Sequence, residues 1–157
     1  MERAQLRYTA TVGVLPSLRL GLEYNPRADD LGVLANWRVW PETETRPALL
    51  LGTSSDRIGT PDGRAWFATL SKSLERETGL PIAPYAGIAY GESDGEWVGL
   101  AGFSLQWDDR ITSTHSWDGH NLHHQIDYSG DEGVRFGWVI AEQDGDYYHG
   151  ISLGWTP

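Results

Sequence analysis

Leu18-Arg19-Leu20-Gly21-Leu22-Glu23-Tyr24-Asn25 decides how this chain is read. Every second side chain is apolar or aromatic, and the positions between hold Arg, Gly, Glu and Asn. Successive side chains of a strand point to opposite faces, so an extended backbone sorts these eight residues into one greasy face and one polar face. The same period of two appears upstream, in Leu6, Tyr8, Ala10, Val12 and Val14 against Arg7, Thr9, Thr11 and Gly13. Downstream it returns in Leu122, His124, Ile126 and Tyr128 against Asn121, His123, Gln125 and Asp127. Val134, Phe136, Trp138 and Ile140 oppose Arg135 and Gly137, and Tyr147, His149, Ile151, Leu153 and Trp155 oppose Gly150, Ser152 and Gly154.

Strands are predicted near 5–15, 18–25, 32–40, 47–55, 64–74, 82–91, 96–107, 110–117, 121–128, 133–142 and 146–155. Pro16-Ser17, Asn25-Pro26, Ser93-Asp94-Gly95, Asp118-Gly119, Ser129-Gly130 and Asp144-Gly145 separate them, and connections this short join antiparallel neighbours. With no linker or low-complexity run to divide residues 1–157, one all-β domain is expected, an antiparallel meander closed into a barrel. Strands of roughly 8 to 11 residues match what a tilted strand needs to cross a bilayer. Bacterial single-chain barrels have even strand numbers, so about ten strands are expected, within a range of 10–12. On that count Asp118-Gly119 is a bulge inside one long strand, or a further strand precedes residue 5. At 60–79 a helix competes with the strand. Thr60-Pro61-Asp62 resembles a helix start, Trp66, Phe67, Leu70 and Leu74 share a helical face, and Gly79 suits a C-cap.

Alternation alone leaves open which face is inside. In a soluble barrel that binds an apolar small molecule, Leu18, Leu20, Leu22, Val33, Ala35, Trp37 and Val139 or Ile140 would line the interior. Turned inside out, Arg7, Arg19, Glu23, Arg38 and Asp56 would form a paired polar network in the lumen, since charges removed from water must be compensated. The aromatics favour the second arrangement. The chain has 8 Trp in 157 residues. Tyr24, Trp37, Trp66, Trp97, Trp107, Trp117, Tyr128 and Trp155 stand at segment ends, where amphipathic rings form girdles between an apolar band and water. A transmembrane barrel of a bacterial outer membrane is therefore expected, touching membrane lipid or lipopolysaccharide. Met1-Glu2-Arg3 enters the first strand without an apolar leader, so Met1 is read as standing where a leader was removed.

Composition narrows the chemistry. Formal net charge is −10, with eleven Arg and one Lys among the 12 basic residues, and a nucleic-acid partner is disfavoured because phosphate backbones need a clustered positive face. Asp29-Asp30, Asp108-Asp109, Asp131-Glu132 and Asp144 with Asp146 read as solvated turns. Zero Cys removes disulfides, thiol catalysis and thiolate metal sites. No cofactor or metal is expected.

Gly52-Thr53-Ser54-Ser55-Asp56-Arg57-Ile58-Gly59-Thr60, then Trp66-Phe67-Ala68-Thr69-Leu70-Ser71-Lys72, then Pro84-Tyr85-Ala86-Gly87-Ile88-Ala89-Tyr90-Gly91, about a quarter of the chain, resembles a strand-loop-strand-strand unit of outer-membrane barrel proteins associated with exopolysaccharide operons. The resemblance implies an outer-membrane location, a strand over 64–74 and a polysaccharide link. The chain ends Trp155-Thr156-Pro157, two residues past the terminal aromatic common in such barrels.

One stretch has catalytic residue types, Thr114-His115-Ser116-Trp117-Asp118-Gly119-His120-Asn121-Leu122-His123-His124. His115, Ser116 and Asp118 supply a base, a hydroxyl and an acid. The stretch resembles the His-x-Ser-Asn run of outer-membrane lipid A deacylases and phospholipases, but adjacent strand residues face opposite sides, so His115 and Ser116 are not expected to bond. His115 and His124 can meet across a hairpin without completing a metal site. The expected function is non-enzymatic: an envelope component or a small-conductance pore.

Overall fold

A computed structural model describes residues 6–26, 29–55, 63–93, 95–143 and 145–156. The alternating segments form eleven strands: β1 (Tyr8–Leu15), β2 (Leu18–Asn25), β3 (Asp30–Trp40), β4 (Ala48–Ser55), β5 (Arg64–Ser71), β6 (Ile82–Gly91), β7 (Glu96–Gln106), β8 (Ile111–Trp117), β9 (Leu122–Ser129), β10 (Val134–Gln143) and β11 (Asp146–Trp155). They pair in chain order from β1 to β11 as one antiparallel meander, with β1 and β11 at the two ends of that order. Among the described residues the count is eleven strands, not ten, and a strand before residue 5 would lie outside them. The merger over 110–128 fails because Asp118-Gly119 belongs to a connection between β8 and β9, where Gly119 takes a positive φ of 102°.

The 60–79 region resolves into both readings in succession. Ser54↔Ala65 through Ala48↔Ser71 register β5 against β4, so Trp66 and Phe67 sit on a strand. A single helical turn, α1 (Glu75–Thr78), follows and ends at Gly79 in the left-handed conformation, φ 72°, which glycine adopts without a Cβ clash. Among the described residues no helix is long and apolar enough to cross a membrane.

Two compact units make up the chain: Met1–Ser71 with Gly87–Gly99, and Lys72–Ala86 with Leu100–Pro157. In the first, Val12↔Leu20, Leu22↔Val33, Trp37↔Leu51 and Thr53↔Trp66 put apolar side chains mainly on one face, while Thr9↔Glu23 and Glu23↔Gly32 share the other. In the second unit Ser113, Ile126, Trp138 and Ile151 form one cross-strand row, and Thr112, Asp127, Gly137 and Ser152 form another on the opposite face.

Burial in the first unit is inverted relative to a soluble domain. Glu23 and Asn25 are only 3% exposed, whereas Leu31 is 64% and Val33 56% exposed. In the second unit Ile151 and Leu153 are 70% and 78% exposed. Glycines on the polar faces make room for long side chains from neighbouring strands: the Phe67 ring lies over Gly52 and the Tyr85 ring over Gly102. Gln125, Asp127 and Ser152 close around Gly137 in the same way. A Cβ at any of these positions would overlap the covering group.

Candidate functional site

The aromatic residues at strand ends share a chemical arrangement within each unit. Tyr24, Trp37, Trp66, Trp97, Trp107, Trp117, Tyr128 and Trp155 are all exposed. Several have their polar edge tied to a turn or strand-end group. Trp66 Nε1 donates to Glu92 Oε1 at 2.9 Å, Trp107 Nε1 to Ser113 Oγ at 2.9 Å, and Trp155 Nε1 to the Glu132 carbonyl at 3.2 Å. Tyr24 donates to Asp29 Oδ1 at 3.2 Å, and Tyr128 accepts from Arg110 Nη1 at 3.0 Å. Trp40, another aromatic at a segment end, adds a bond from Nε1 to the Pro47 carbonyl at 3.0 Å. The hydrogen-bonding edge of each of these rings is satisfied; the bodies of Tyr24, Trp66, Trp107, Tyr128 and Trp155 stay exposed, while Trp40 is half-buried with the Arg46 guanidinium 5.5 Å from its ring centroid.

Of the five residues expected to form a polar network, the structure joins two. Arg7 Nη1 lies 3.2 Å from Glu23 Oε2. Arg64, which sequence reading missed, belongs beside them: its guanidinium rests over Gly32, and Gly32 is the register partner of Glu23. Arg64 Nη2 is buried with no hydrogen-bond acceptor among the described residues. Strict alternation puts Arg64 in the row of Trp66, so the bare glycine at position 32 is the sequence signal for a long side chain received there. Arg19 and Arg38 lie apart from Glu23; Arg38 Nη2 donates to the Pro16 carbonyl at 3.1 Å. Asp56 lies outside the described residues.

In the second unit the histidine-rich stretch is divided between two faces. His115 opposes His124 on the apolar face, their Nδ1 atoms 2.7 Å apart, with Phe103 against His115 at 4.9 Å between centroids. One Nδ1 must donate and the other accept. Ser116 faces the other way, opposite His123 and within hydrogen-bond reach of the Tyr85 phenol. The separation of His115 from Ser116 expected from the strand pleat is therefore present, and the histidine that shares a face with Ser116 is His123.

Asp118 is held at the β8–β9 turn. Its Oδ1 accepts the backbone N–H groups of His120 at 2.9 Å and Asn121 at 2.8 Å, and its Oδ2 lies 2.7 Å from His123 Nε2, which donates to the ionised carboxylate. Partial burial opposes ionisation, but the bonds from His123, Asn121 and His120 and the attraction of His123 outweigh it, holding the carboxyl well below the usual carboxylate range. Both oxygens are used in locking the turn, and among the described residues no hydrogen bond joins Ser116 to a histidine, so the nucleophile–base contact of a hydrolase is missing. A depressed folded pKa stabilises the fold above the unfolded value and is lost as pH falls through the folded value. Wild-type unfolding midpoints should therefore fall on acidification below about pH 4, while Asp118→Asn, about 1–2 kcal/mol less stable near neutrality, should lack that component. Denaturant titrations of both chains over this range measure it; parallel curves would refute the turn lock.

No metal-binding group of three or more His, Cys, Asp or Glu occurs among the described residues.

No family model, curated protein or solved structure matches the chain.

The features that the described residues present are surfaces: exposed apolar faces with edge-satisfied aromatics, and a polar face where Arg7 pairs with Glu23.

Proposed function

We propose that the chain is a non-enzymatic β-barrel of a bacterial outer membrane, an envelope component or small-conductance pore in contact with membrane lipid or lipopolysaccharide. The observation that carries this reading is the inverted burial. Water surrounding Leu31, Val33, Ile151 and Leu153 would leave a large apolar surface uncompensated, at about 25 cal/mol per Å², whereas hydrocarbon covers it. The tied aromatic edges support it too, since a ring at a lipid–water boundary needs its N–H or O–H satisfied on the wet side. Closure of an eleven-strand meander would pair β1 with β11 in parallel, a departure from the even strand numbers of bacterial barrels that has its precedent in the odd-stranded barrel of mitochondria. The resemblance of the 52–91 region to barrels of exopolysaccharide operons adds a polysaccharide link to the proposal.

A soluble barrel holding an apolar ligand requires the opposite burial, with the leucines and valines covered and Glu23 in water. Detergent partition tests the choice. The folded chain should enter the detergent phase, insert into vesicles and migrate on unheated gels as a compact species. A monomeric, folded chain that stays in buffer without detergent would end the membrane reading.

A further inference from the structure

We infer that the polar face of the first unit carries an oxyanion-binding site built on Arg19 and Arg38. Arg19 stands opposite Asn36 in the β2–β3 register, and two rungs on, past Leu18↔Trp37, the Arg38 amide donates to the Ser17 carbonyl at 2.8 Å. Both arginines therefore project from the same face as diagonal neighbours, within reach of one small ligand. They line an open depression of about 610 Å³, together with Asn36, Leu50 and the Pro16-Ser17 turn.

The charge arrangement points to an anion. Two guanidiniums side by side repel, and a chain with 22 acidic against 12 basic residues has acids to spare. Among the described residues, however, no carboxylate pairs with either arginine, and Arg19 makes no hydrogen bond. Four residues along β2 the opposite solution is used, where Glu23 is paired with Arg7. The bond from Arg38 Nη2 to the Pro16 carbonyl at 3.1 Å orients that guanidinium and leaves its remaining donors for a ligand. Arginine presents parallel N–H donors that match two oxygens of a phosphate or carboxylate, so the site fits a phosphate-bearing or carboxylate-bearing group, with the Asn36 amide as a neutral donor beside it. This site does not depend on the membrane reading, because it lies within one unit and uses only charge and register.

Titration of the full chain with inorganic phosphate, and separately with glucuronate, in a maltoside detergent at low salt tests the assignment by calorimetry. Saturable binding of at least one probe is expected, weakening as salt is added. Arg19→Gln and Arg38→Gln should each weaken it by about tenfold, and the double variant should abolish it. Arg19→Lys, which keeps charge but not the planar fork, should fall between. Arg135→Gln, an exposed arginine of the second unit, should leave binding unchanged. Tighter phosphate identifies a phosphorylated ligand; tighter glucuronate identifies an acidic glycan. If Arg38→Gln fails to fold, Arg19→Gln decides alone. The site is refuted if wild type binds neither probe saturably, or if Arg135→Gln loses as much affinity as Arg19→Gln.

Discussion

Val33→Arg is expected to reduce the stability of the bilayer-inserted protein by about 2–4 kcal/mol, while Tyr24→Arg reduces it by about 0–1 kcal/mol. The contrast comes from depth. Val33 opposes Leu22 in the interior of the apolar face, and Tyr24 opposes Leu31 at its rim, next to the β2–β3 turn. A guanidinium in the middle of a hydrocarbon layer loses its hydration; one at the boundary reaches water. In aqueous surroundings the ranking disappears, because both side chains are exposed and an exposed substitution shifts stability by roughly ±0.5 kcal/mol. Urea titrations of vesicle-inserted chains, with the folded fraction read from unheated gel migration, separate the cases. Two small, equal effects would sink the membrane reading, whereas a steep central loss with a flat rim would support it.

Strand identity was legible because it depends on local alternation. Leu18–Asn25 needs only its own eight residues to sort its side chains; the two-residue turn sets Leu15↔Leu18, but an irregularity between Gly13 and Leu15 shifts the rest of the register by one residue, which alternation does not announce. Strand number was less legible, since the even-number rule for bacterial barrels argued for removing a strand that the turn at Asp118-Gly119 in fact creates. That turn is fixed by side-chain bonds from Asp118 to residues two, three and five positions away. The 64–79 region, read as a strand with a helix in competition, holds both in succession. Its 3.6-residue pattern is carried by Trp66, Phe67, Leu70 and Leu74, yet cross-strand pairing with β4 takes Arg64–Ser71 and leaves the chain only one helical turn before Gly79. At the candidate sites, hairpin pairing of His115 with His124 could be read from sequence, because a short turn brings those positions level. The position of the Arg64 guanidinium could not, because strand parity fixes the direction of Cβ and says little about the end of a long, flexible side chain at the first residue of a strand.

Glu23→Ala is expected to destabilise the protein by about 2–4 kcal/mol, and the loss should come more from Arg64 than from Arg7. Arg7 is 41% exposed, so water can replace the carboxylate as its partner; the guanidinium of Arg64 over Gly32 is shielded, and its Nη2 already lacks an acceptor among the described residues. Removing Glu23 therefore takes a carboxylate away from the rung on which the shielded guanidinium rests. Double-mutant cycles resolve the two contributions. Coupling of Glu23→Ala with Arg64→Ala should exceed coupling with Arg7→Ala by about 1 kcal/mol or more, the difference between a shielded and a solvated charge. Glu23→Gln, which retains the shape and one acceptor oxygen, should recover part of the loss. Equal couplings would mean that Gly32 merely accommodates the bulk of Arg64, and a loss under about 0.5 kcal/mol for Glu23→Ala would remove the charge pairing from the forces that hold this face together.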